Sequence, residues 1–309
     1  MTYPRPLKPG ATIGLVCTSS PVTTERISQC VGVLTDMGYQ VRLADNLDAH
    51  LHGLMAGEGK ARGEWINRMF ADPEIDAIFC VRGGDGSSRI MEYLDADLIR
   101  QNPKIFVGYS DVTNLHLFLV DQCDLVTFHG PMVSSNMVDH WDAETERSFW
   151  ETLGAEGTWT YQNPAGKPLK TIRPGQGTGL LIGGNLSLLA AAMGTPYALQ
   201  SQGRILFIEE VKEQTSKIEK WIWQLRNAGA LAGLAGLLLG QFTNMTVECD
   251  ADYDAVACIT EACQGYDFPI VAGVESGHAF PMMTLPFGAP CTIQASAGQT
   301  PKMTLRADR

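Results

Sequence analysis

Short apolar segments alternate with amphipathic segments through the first half of the chain. The apolar segments predict strands at residues 11–17, 40–44, 76–84, 104–110 and 125–130. The amphipathic segments between them predict helices at residues 23–37, 60–70, 87–99 and 112–123. Apolar strands of this length separated by helices are typical of βαβ units with right-handed crossovers, so we expect a parallel sheet. In such sheets ligands bind beyond the carboxyl ends of the strands.

The alternation stops in residues 155–178, which are rich in glycine, proline and threonine. We interpret this segment as a linker between an N-terminal α/β domain, residues 1–154, and a C-terminal domain, residues 179–309. The C-terminal half mixes strand patterns with helical patterns and ends in short strands and turns. We therefore expect an α/β protein whose smaller second domain is β-rich and barrel-like.

The composition narrows the range of partners. The 309 residues carry a formal net charge of −11, and 45% of them are hydrophobic. An acidic chain binds nucleic acid poorly, because phosphate contacts need a surplus of lysine and arginine. The chain also lacks the basic clusters that would hold it to an anionic membrane. We expect its partner to be a small molecule or another protein.

The location follows from what the chain lacks. Its N-terminal segment has no long apolar stretch of the secretory type, and no run of about eighteen apolar residues predicts a membrane span. None of the eight cysteines forms a C-x-x-C pair, which is typical of reduced thiols. We therefore expect a cytoplasmic protein. No metal or other cofactor is expected, since His50 and His52 have no third ligand beside them.

Two segments at strand ends could supply parts of a nucleophilic site. Ser110 follows the apolar strand IFVGY and precedes a helix, where its hydroxyl would face the sheet edge beside backbone N–H groups. The glycine turn RGGDGSSR (82–89) ends another strand, and its backbone N–H groups could approach a ligand closely. The alternatives are a helix N-cap at Ser110 and a plain turn or a phosphate loop at residues 82–89.

Acidic residues and a histidine in the second half could complete the set. Glu209 and Glu210 end the apolar strand RILFI, and strand alternation lets only one of them face a shared site. His278 lies in the loop ESGHAFPMMTLPFG, whereas His129, at a strand end, is a competing base and His116 is expected to be a packing residue. A nucleophile, a base and an orienting acid suffice for acyl transfer. Two solvated acids at a strand end are the alternative for residues 209 and 210.

Six collinear segments resemble the LD-carboxypeptidase family of serine peptidases, which includes the microcin C immunity proteins. They are GLMAGEGKARGEWINRMFADPEIDAIFCVRGGDGSSR, KIFVGYSDVTNLH, TFHGPM, GGNLSLLAAAMGTP, ILFIEEVKE and GHAFPMMTLPFGAP. Together they span most of the chain. The resemblance implies a flavodoxin-like or Rossmann-like parallel sheet sandwich at the N-terminus, a small β-rich barrel at the C-terminus, and a homodimer.

The resemblance also implies the roles of single residues. The serine of GYSD, Ser110, would be the nucleophile, and the histidine of the last segment, His278, would be the general base. Glu209, the first acid after the apolar strand, would orient the imidazole. The oxyanion donors would be the backbone N–H groups of Gly84 and Asp111, and the active site would lie between the domains.

The substrate implied by the resemblance is a murein tetrapeptide, cut before its terminal D-alanine in cell-wall recycling. Hydrolysis of a peptidyl-nucleotide antibiotic, giving self-immunity, is the second enzymatic hypothesis. An aromatic pocket would favour it, and Trp141, Trp150 and Trp159 lie near the linker, although packing is the alternative for them. Asp85 stands where the family often has an aromatic residue, which could alter the pocket. A non-catalytic α/β ligand-binding module is the hypothesis of another class.

Overall fold

The computed structural model describes residues 1–250 and 252–309, which form two compact units. The first unit comprises Met1–Ala155, Thr284–Pro286 and Asp308–Arg309, and the second comprises Glu156–Met283 and Phe287–Ala307. In the described part of the chain, no helix has the length and apolar character needed to span a bilayer.

Fourteen strands and eight α-helices of the described residues build the two units. The strands are β1 (Thr12–Val16), β2 (Gln40–Leu43), β3 (Ala77–Cys80), β4 (Ile105–Gly108), β5 (Thr127–His129), β6 (Gly157–Thr160), β7 (Lys170–Arg173), β8 (Gly175–Asn185), β9 (Ile205–Val211), β10 (Gly236–Thr243), β11 (Ile270–Ala272), β12 (Leu285–Phe287), β13 (Pro290–Ala295) and β14 (Lys302–Ala307). The helices are α1 (Thr24–Asp36), α2 (Gly59–Ala71), α3 (Ala96–Gln101), α4 (Thr113–Cys123), α5 (Ala143–Gly154), α6 (Leu186–Ala192), α7 (Thr215–Asn227) and α8 (Ala255–Ala262).

The first unit is built on a six-stranded sheet with the order β2-β1-β3-β4-β5-β12. The pairs formed by β1 to β5 are all parallel, and β3, β4 and β5 are buried along their whole length. The order 2-1-3-4-5 is that of flavodoxin-like sheets, in which ligands bind outside the carboxyl ends of the strands. The predicted α/β class with an N-terminal parallel sheet is therefore confirmed.

Two helical segments of the first unit differ from the sequence-based prediction. The helix predicted at residues 87–99 is divided into the 3-10 turns Ser87–Arg89 and Met91–Tyr93 and the helix α3. Leu94 is extended, with ψ 134°, and the Asp95 side chain caps a new helix by accepting from Leu98 N. An aspartate that bonds the backbone N–H three residues on begins a helix at that point. Helix α5 was not predicted.

The second unit contains an eight-stranded sheet with the order β6-β14-β13-β8-β9-β10-β11-β7. Its centre, β8-β9-β10-β11, is parallel, and antiparallel strands flank it on both sides. The β-rich character predicted for this half is confirmed. A closed barrel is not detected among the described residues, because no pairing joins the two end strands β6 and β7.

The segment predicted as a linker, residues 155–178, contains β6, β7 and the start of β8. Most residues of these strands are exposed or half-buried, as in the sequences GTWT and KTIR. A strand at a sheet end can face solvent on both sides, so it lacks the apolar alternation by which strands are recognised in a sequence.

Candidate active site

Ser110 lies directly beyond the carboxyl end of β4, in a sharp turn into helix α4. Its φ is 66°, which places a non-glycine residue in the left-handed region. The turn is held by Thr113, whose Oγ1 donates to the Ser110 carbonyl oxygen at 2.7 Å. Strand–turn–helix geometry with a strained serine is the arrangement of a nucleophile elbow, and such strain is concentrated at functional sites.

Two glycines beyond β3 leave space at this turn. A Cβ on Gly83 would lie 3.0 Å from Ser110 Cβ and 3.2 Å from Ser110 Oγ. A Cβ on Gly84, whose φ is +128°, would lie 2.0 Å from Ser20 Oγ. Only a residue without a side chain fits at position 84, so the glycine turn is required by close approach as well as by backbone conformation.

Ser87 and Asp111 join the glycine turn to the serine turn. Ser87 N donates to Asp111 Oδ2 at 2.9 Å, and Ser87 Oγ donates to the Asp111 carbonyl oxygen at 2.5 Å. Asn114 Nδ2 adds a bond of 2.9 Å to Ser87 Oγ. Burial raises the pKa of the Asp111 carboxyl, and the hydrogen bonds from Ser19 and Ser87 oppose that rise. These bonds hold the two turns at a constant separation.

The second unit brings together Glu209, on β9, and His278, in the loop after β11. His278 Nδ1 lies 2.6 Å from Glu209 Oε2, and the Glu209 side chain is fully buried. Because a carboxylate only accepts, Nδ1 carries the proton of this hydrogen bond. Gly277, with φ +135°, makes the approach possible, since a Cβ there would lie 3.0 Å from Glu209 Oε2.

The electrostatic surroundings of His278 change the pKa of its imidazole. Burial lowers the pKa of the imidazole, but the carboxylates of Glu209 and Glu210 outweigh this effect and raise it above its usual 6.5. The ammonium group of Lys212 opposes the rise. A carboxylate partner of this kind stabilises the imidazolium that forms when a histidine accepts a proton.

Glu210 has partners of its own on the opposite face of β9. Its carboxylate accepts hydrogen bonds from Asn185 Nδ2 at 2.6 Å, from Ser187 N at 2.9 Å and from Val211 N at 2.9 Å. Burial raises its pKa, while the bond from Val211 N opposes the rise. Both acids are buried, so the alternative of two solvated acids is wrong, and Glu209 is the one that contacts the imidazole.

The remaining candidates of the first unit pack in its core. His116 is fully buried, with Nδ1 2.8 Å from Thr127 Oγ1 and Nε2 2.8 Å from the Gly108 carbonyl oxygen. The His129 ring, also fully buried, lies 6.0 Å from Tyr109 and 6.2 Å from His116 between ring centroids. Packing is thus confirmed for His116.

Two of the three tryptophans near the predicted linker belong to an aromatic cluster of the first unit. Trp150 stacks on Tyr39 at 5.5 Å, and both Trp150 and Trp141 pack edge-on against Phe149. Trp159 lies in β6, paired with Leu305 of β14. In residues 1–250 and 252–309 no group of three histidine, cysteine or acidic side chains is arranged to hold a metal ion.

Sequence reasoning missed two residues that support these groups. Ser87 is buried and links the two turns of the first unit, and Gln241 is buried and bonds the loop that carries His278. Ser87 gave one usable signal, its place in the glycine turn. Gln241 gave none, because a polar residue near the end of an apolar strand is common.

A strained serine at a strand end and a carboxylate-bonded imidazole are groups from which acyl-transfer hydrolases are built. Comparison with known families agrees: the LD-carboxypeptidase N-terminal domain matches residues 13–130, and the LD-carboxypeptidase C-terminal domain matches residues 178–293. The chain belongs to the LD-carboxypeptidase family and is, by that membership, a hydrolase of the carboxypeptidase class.

Individual relatives cover nearly the whole chain. The probable murein peptide carboxypeptidase of Bacillus subtilis is 34% identical over 295 residues, which are 95% of this chain and 92% of that protein. The microcin C7 self-immunity protein of Escherichia coli is 28% identical over 318 residues, covering 93% and 92%.

Solved structures show the same fold. The structure of the microcin self-immunity protein MccF in complex with glutamyl sulfamoyl guanosine superposes with a TM-score of 0.89 at 25% identity, covering 99% of this chain and 98% of that one. The muramoyltetrapeptide carboxypeptidase from Oxalobacter formigenes gives a TM-score of 0.84 at 27% identity, covering 96% and 99%.

Proposed function

We propose that this protein is a serine LD-carboxypeptidase that releases the terminal D-alanine of a murein tetrapeptide. The observation that carries the proposal is the hydrogen bond between His278 Nδ1 and the buried Glu209 carboxylate. It orients the ring and leaves Nε2 as the nitrogen that exchanges a proton with substrate. The murein substrate is supported by the relatives named murein peptide carboxypeptidase and muramoyltetrapeptide carboxypeptidase.

The proposed reaction is a two-step acyl transfer. Ser110 Oγ attacks the carbonyl carbon of the bond between the L-centre and the D-alanine, while His278 Nε2 accepts the hydroxyl proton. The tetrahedral intermediate collapses as the imidazolium protonates the departing amine, which leaves an acyl-enzyme on Ser110. A water molecule, deprotonated by His278, then releases the shortened peptide. Glu209 stabilises the imidazolium in both steps.

The backbone N–H groups of Gly84 and Asp111 are proposed as the oxyanion donors. The bonds between Ser87 and Asp111 couple the positions of the two turns that carry them. Preorganised donors of this kind are worth roughly a hundredfold to a thousandfold in rate each.

Release of D-alanine from a murein tetrapeptide, measured with the wild type and with Ser110→Ala, tests the proposal. We expect Ser110→Ala and His278→Gln each to lower kcat by at least about a thousandfold. The double variant should be no worse than the poorer single one, since the groups act as a unit. Normal turnover by the Ser110→Ala protein would show that Ser110 is not the nucleophile.

Hydrolysis of an aminoacyl or peptidyl nucleotide is the second candidate. It is favoured by the TM-score of 0.89 to the protein bound to glutamyl sulfamoyl guanosine, and by a related structure bound to aspartyl sulfamoyl adenosine. The same assay with such a conjugate beside the tetrapeptide separates the two, because turnover of only one identifies the substrate class. A ligand-binding module without catalysis would turn over neither and would resist a serine-reactive probe at Ser110.

A homodimer in the cytoplasm completes the proposal. Murein fragments recovered from the cell wall would reach the protein in the cytoplasm. The eight cysteines of the chain are free thiols, which is typical of a reducing compartment. Light scattering on the purified protein measures the mass directly, and a value near twice 33.6 kDa is expected.

A further inference from the structure

We infer that Gln241 is the positioning residue of the proposed base, holding the loop of His278 so that its imidazole stays on Glu209. The inference rests on the proposed function, in which His278 acts as base. It concerns a different residue and a different element, the strand β10 beside Glu209.

A β-bulge aims Gln241 at the loop. Along the parallel pair β9–β10, Leu239 is opposite Ile208 and Phe242 is opposite Glu210. Two residues of β10, Gly240 and Gln241, therefore stand opposite Glu209 alone. A bulge of this kind redirects a side chain, and bulges are frequent beside active sites.

Glycine is required at the first bulge position. A Cβ on Gly240 would lie 2.6 Å from the Phe207 ring and 2.7 Å from the Ser276 carbonyl oxygen. The loop backbone thus packs directly on the bulge. Gln241 N donates to the same Ser276 carbonyl oxygen at 3.0 Å.

Both ends of the Gln241 amide bond the loop on either side of His278. Oε1 accepts from Ala279 N, the residue directly after the histidine, at 2.9 Å. Nε2 donates to Glu275 Oε2 at 3.0 Å and to the Pro281 carbonyl oxygen at 3.3 Å. One side chain therefore clamps residues 275–281 at three points.

The clamp is rigid because its partners are themselves held. Glu275 Oε2 also bonds Lys167 Nζ at 2.8 Å, and Glu275 N donates to Asn163 Oδ1 at 3.0 Å. Gln241 is only 8% exposed, so its amide has little water to replace a lost partner. Ordered support of this kind decides whether a base is held within the fraction of an ångström that catalysis needs.

The variant Gln241→Met removes the amide and keeps the length of the side chain. We expect kcat to fall about 10- to 100-fold, the effect of misplacing a catalytic group by about 1 Å, with KM changed less than about threefold. Gln224→Met is the control, because Gln224 Nε2 bonds only the Ala190 carbonyl oxygen in the part of the chain described here. Unchanged kcat in Gln241→Met would overturn the inference.

The variants Gln241→Glu and Glu275→Gln separate loss of the amide donor from loss of its partner's charge. Glu275→Gln leaves an oxygen that still accepts from Gln241 Nε2, whereas Gln241→Glu removes the donor and puts a carboxylate oxygen about 3.0 Å from Glu275 Oε2. We expect Gln241→Glu to lower kcat at least as much as Gln241→Met, and Glu275→Gln to lower it less than either. If Glu275→Gln is as slow as Gln241→Glu, the inference is contradicted.

Nitrogen NMR of the His278 ring separates failure of this inference from failure of the proposed function. The readout needs no turnover, and His278→Gln identifies the signal. Gln241→Met should lower the pKa of His278 by weakening its contact with Glu209, and Gln224→Met should not. If the wild type has no carboxypeptidase activity but the His278 signals still respond in this way, the positioning role stands and the proposed substrate fails. If the pKa of His278 in Gln241→Met equals that in the wild type, the positioning role is contradicted, whatever the carboxypeptidase activity.

Discussion

At the scale of single residues, Ser110 shows how a reactive group is presented by strain. A left-handed conformation costs a non-glycine residue about 1 to 3 kcal/mol, and it persists only where surrounding contacts determine it. Here the bond from Thr113 and the link from Asp111 to Ser87 supply those contacts. The strained turn therefore lowers the stability of the fold, and it points the Ser110 hydroxyl outward from the end of β4.

Gly83→Ala tests how closely that hydroxyl is placed. Its new Cβ would lie 3.0 Å from Ser110 Cβ, tighter than ordinary contact, and Gly83 has no left-handed φ that would add backbone strain. We expect kcat for D-alanine release to fall about 10- to 100-fold while the melting temperature changes by only a few degrees.

Gly32→Ala is the matched control for this change. A Cβ at Gly32 meets nothing within 4 Å, and the residue lies inside helix α1. Alanine should stabilise the helix by about 0.5 to 1 kcal/mol without altering kcat. If the two variants are equally active, the close contact between position 83 and Ser110 does not limit catalysis, and the prediction is wrong.

At the scale of secondary-structure elements, His116 joins helix α4 to two strands. A carbonyl oxygen only accepts, so Nε2 carries the proton and donates to Gly108, and Nδ1 accepts from Thr127 Oγ1. Burial lowers the pKa of His116 to about 4, although the bond to Gly108 opposes that change. The neutral ring is thus part of the packing between α4, β4 and β5.

This buried neutral histidine makes the protein sensitive to acid. In the unfolded chain the pKa is near 6.5, so between pH 6.5 and about 4 the unfolded state binds the extra proton. The free energy of unfolding should consequently fall as pH falls through this range, by up to about 1.4 kcal/mol per pH unit from this group. Below about pH 4 the folded state binds the proton as well, and the stability that the neutral ring gave at higher pH has been lost.

The variant His116→Gln keeps a donor and an acceptor but cannot titrate. Urea unfolding at pH 4 to 7 should show a shallower loss of stability in this variant than in the wild type. His50→Gln, at an exposed position, serves as the control and should leave the slope unchanged. If the free energy of unfolding of His116→Gln falls with pH as steeply as that of the wild type, the role given to His116 is contradicted.

Prediction of elements from the sequence succeeded where burial was regular. Strands β1 to β5 and helices α1, α2 and α4 were expected within a few residues of their observed bounds. It failed at residues 87–99, where the capping carboxylate of Asp95 divides the helix, and at β6 and β7, whose exposed residues carry no apolar alternation.

At the scale of the whole molecule, the chain returns to its first unit near the end. Residues Thr284–Pro286 belong to that unit, where β12 occupies the edge of the parallel sheet. Thr284 N donates to Ser148 Oγ of α5 at 3.0 Å, and a Cβ on Gly130 would meet Thr284 at 2.9 Å. The N-terminal 155 residues therefore lack one strand of their own sheet.

A fragment of residues 1–155 should be aggregation-prone, because removal of β12 uncovers a buried edge strand. Light scattering and thermal unfolding of the fragment check this expectation. A second fragment, with residues 280–290 attached through a glycine–serine linker, should regain part of the solubility. A monomeric 1–155 fragment as soluble as the extended one would contradict the role given to β12.

The sequence alone determined that the first unit has a parallel sheet and which groups are able to do chemistry, because local burial has a period that can be counted. It placed Ser110 at a strand end and named Glu209, Glu210 and His278. Only the tertiary structure decided which acid bonds the histidine, which residue clamps its loop and which late segment closes the first sheet. Those outcomes depend on contacts between residues far apart in the chain, 38 positions for Gln241 and Ala279 and 69 positions for Glu209 and His278. Register, a bulge and close glycine contacts set such pairings, and none of them has a period along the chain.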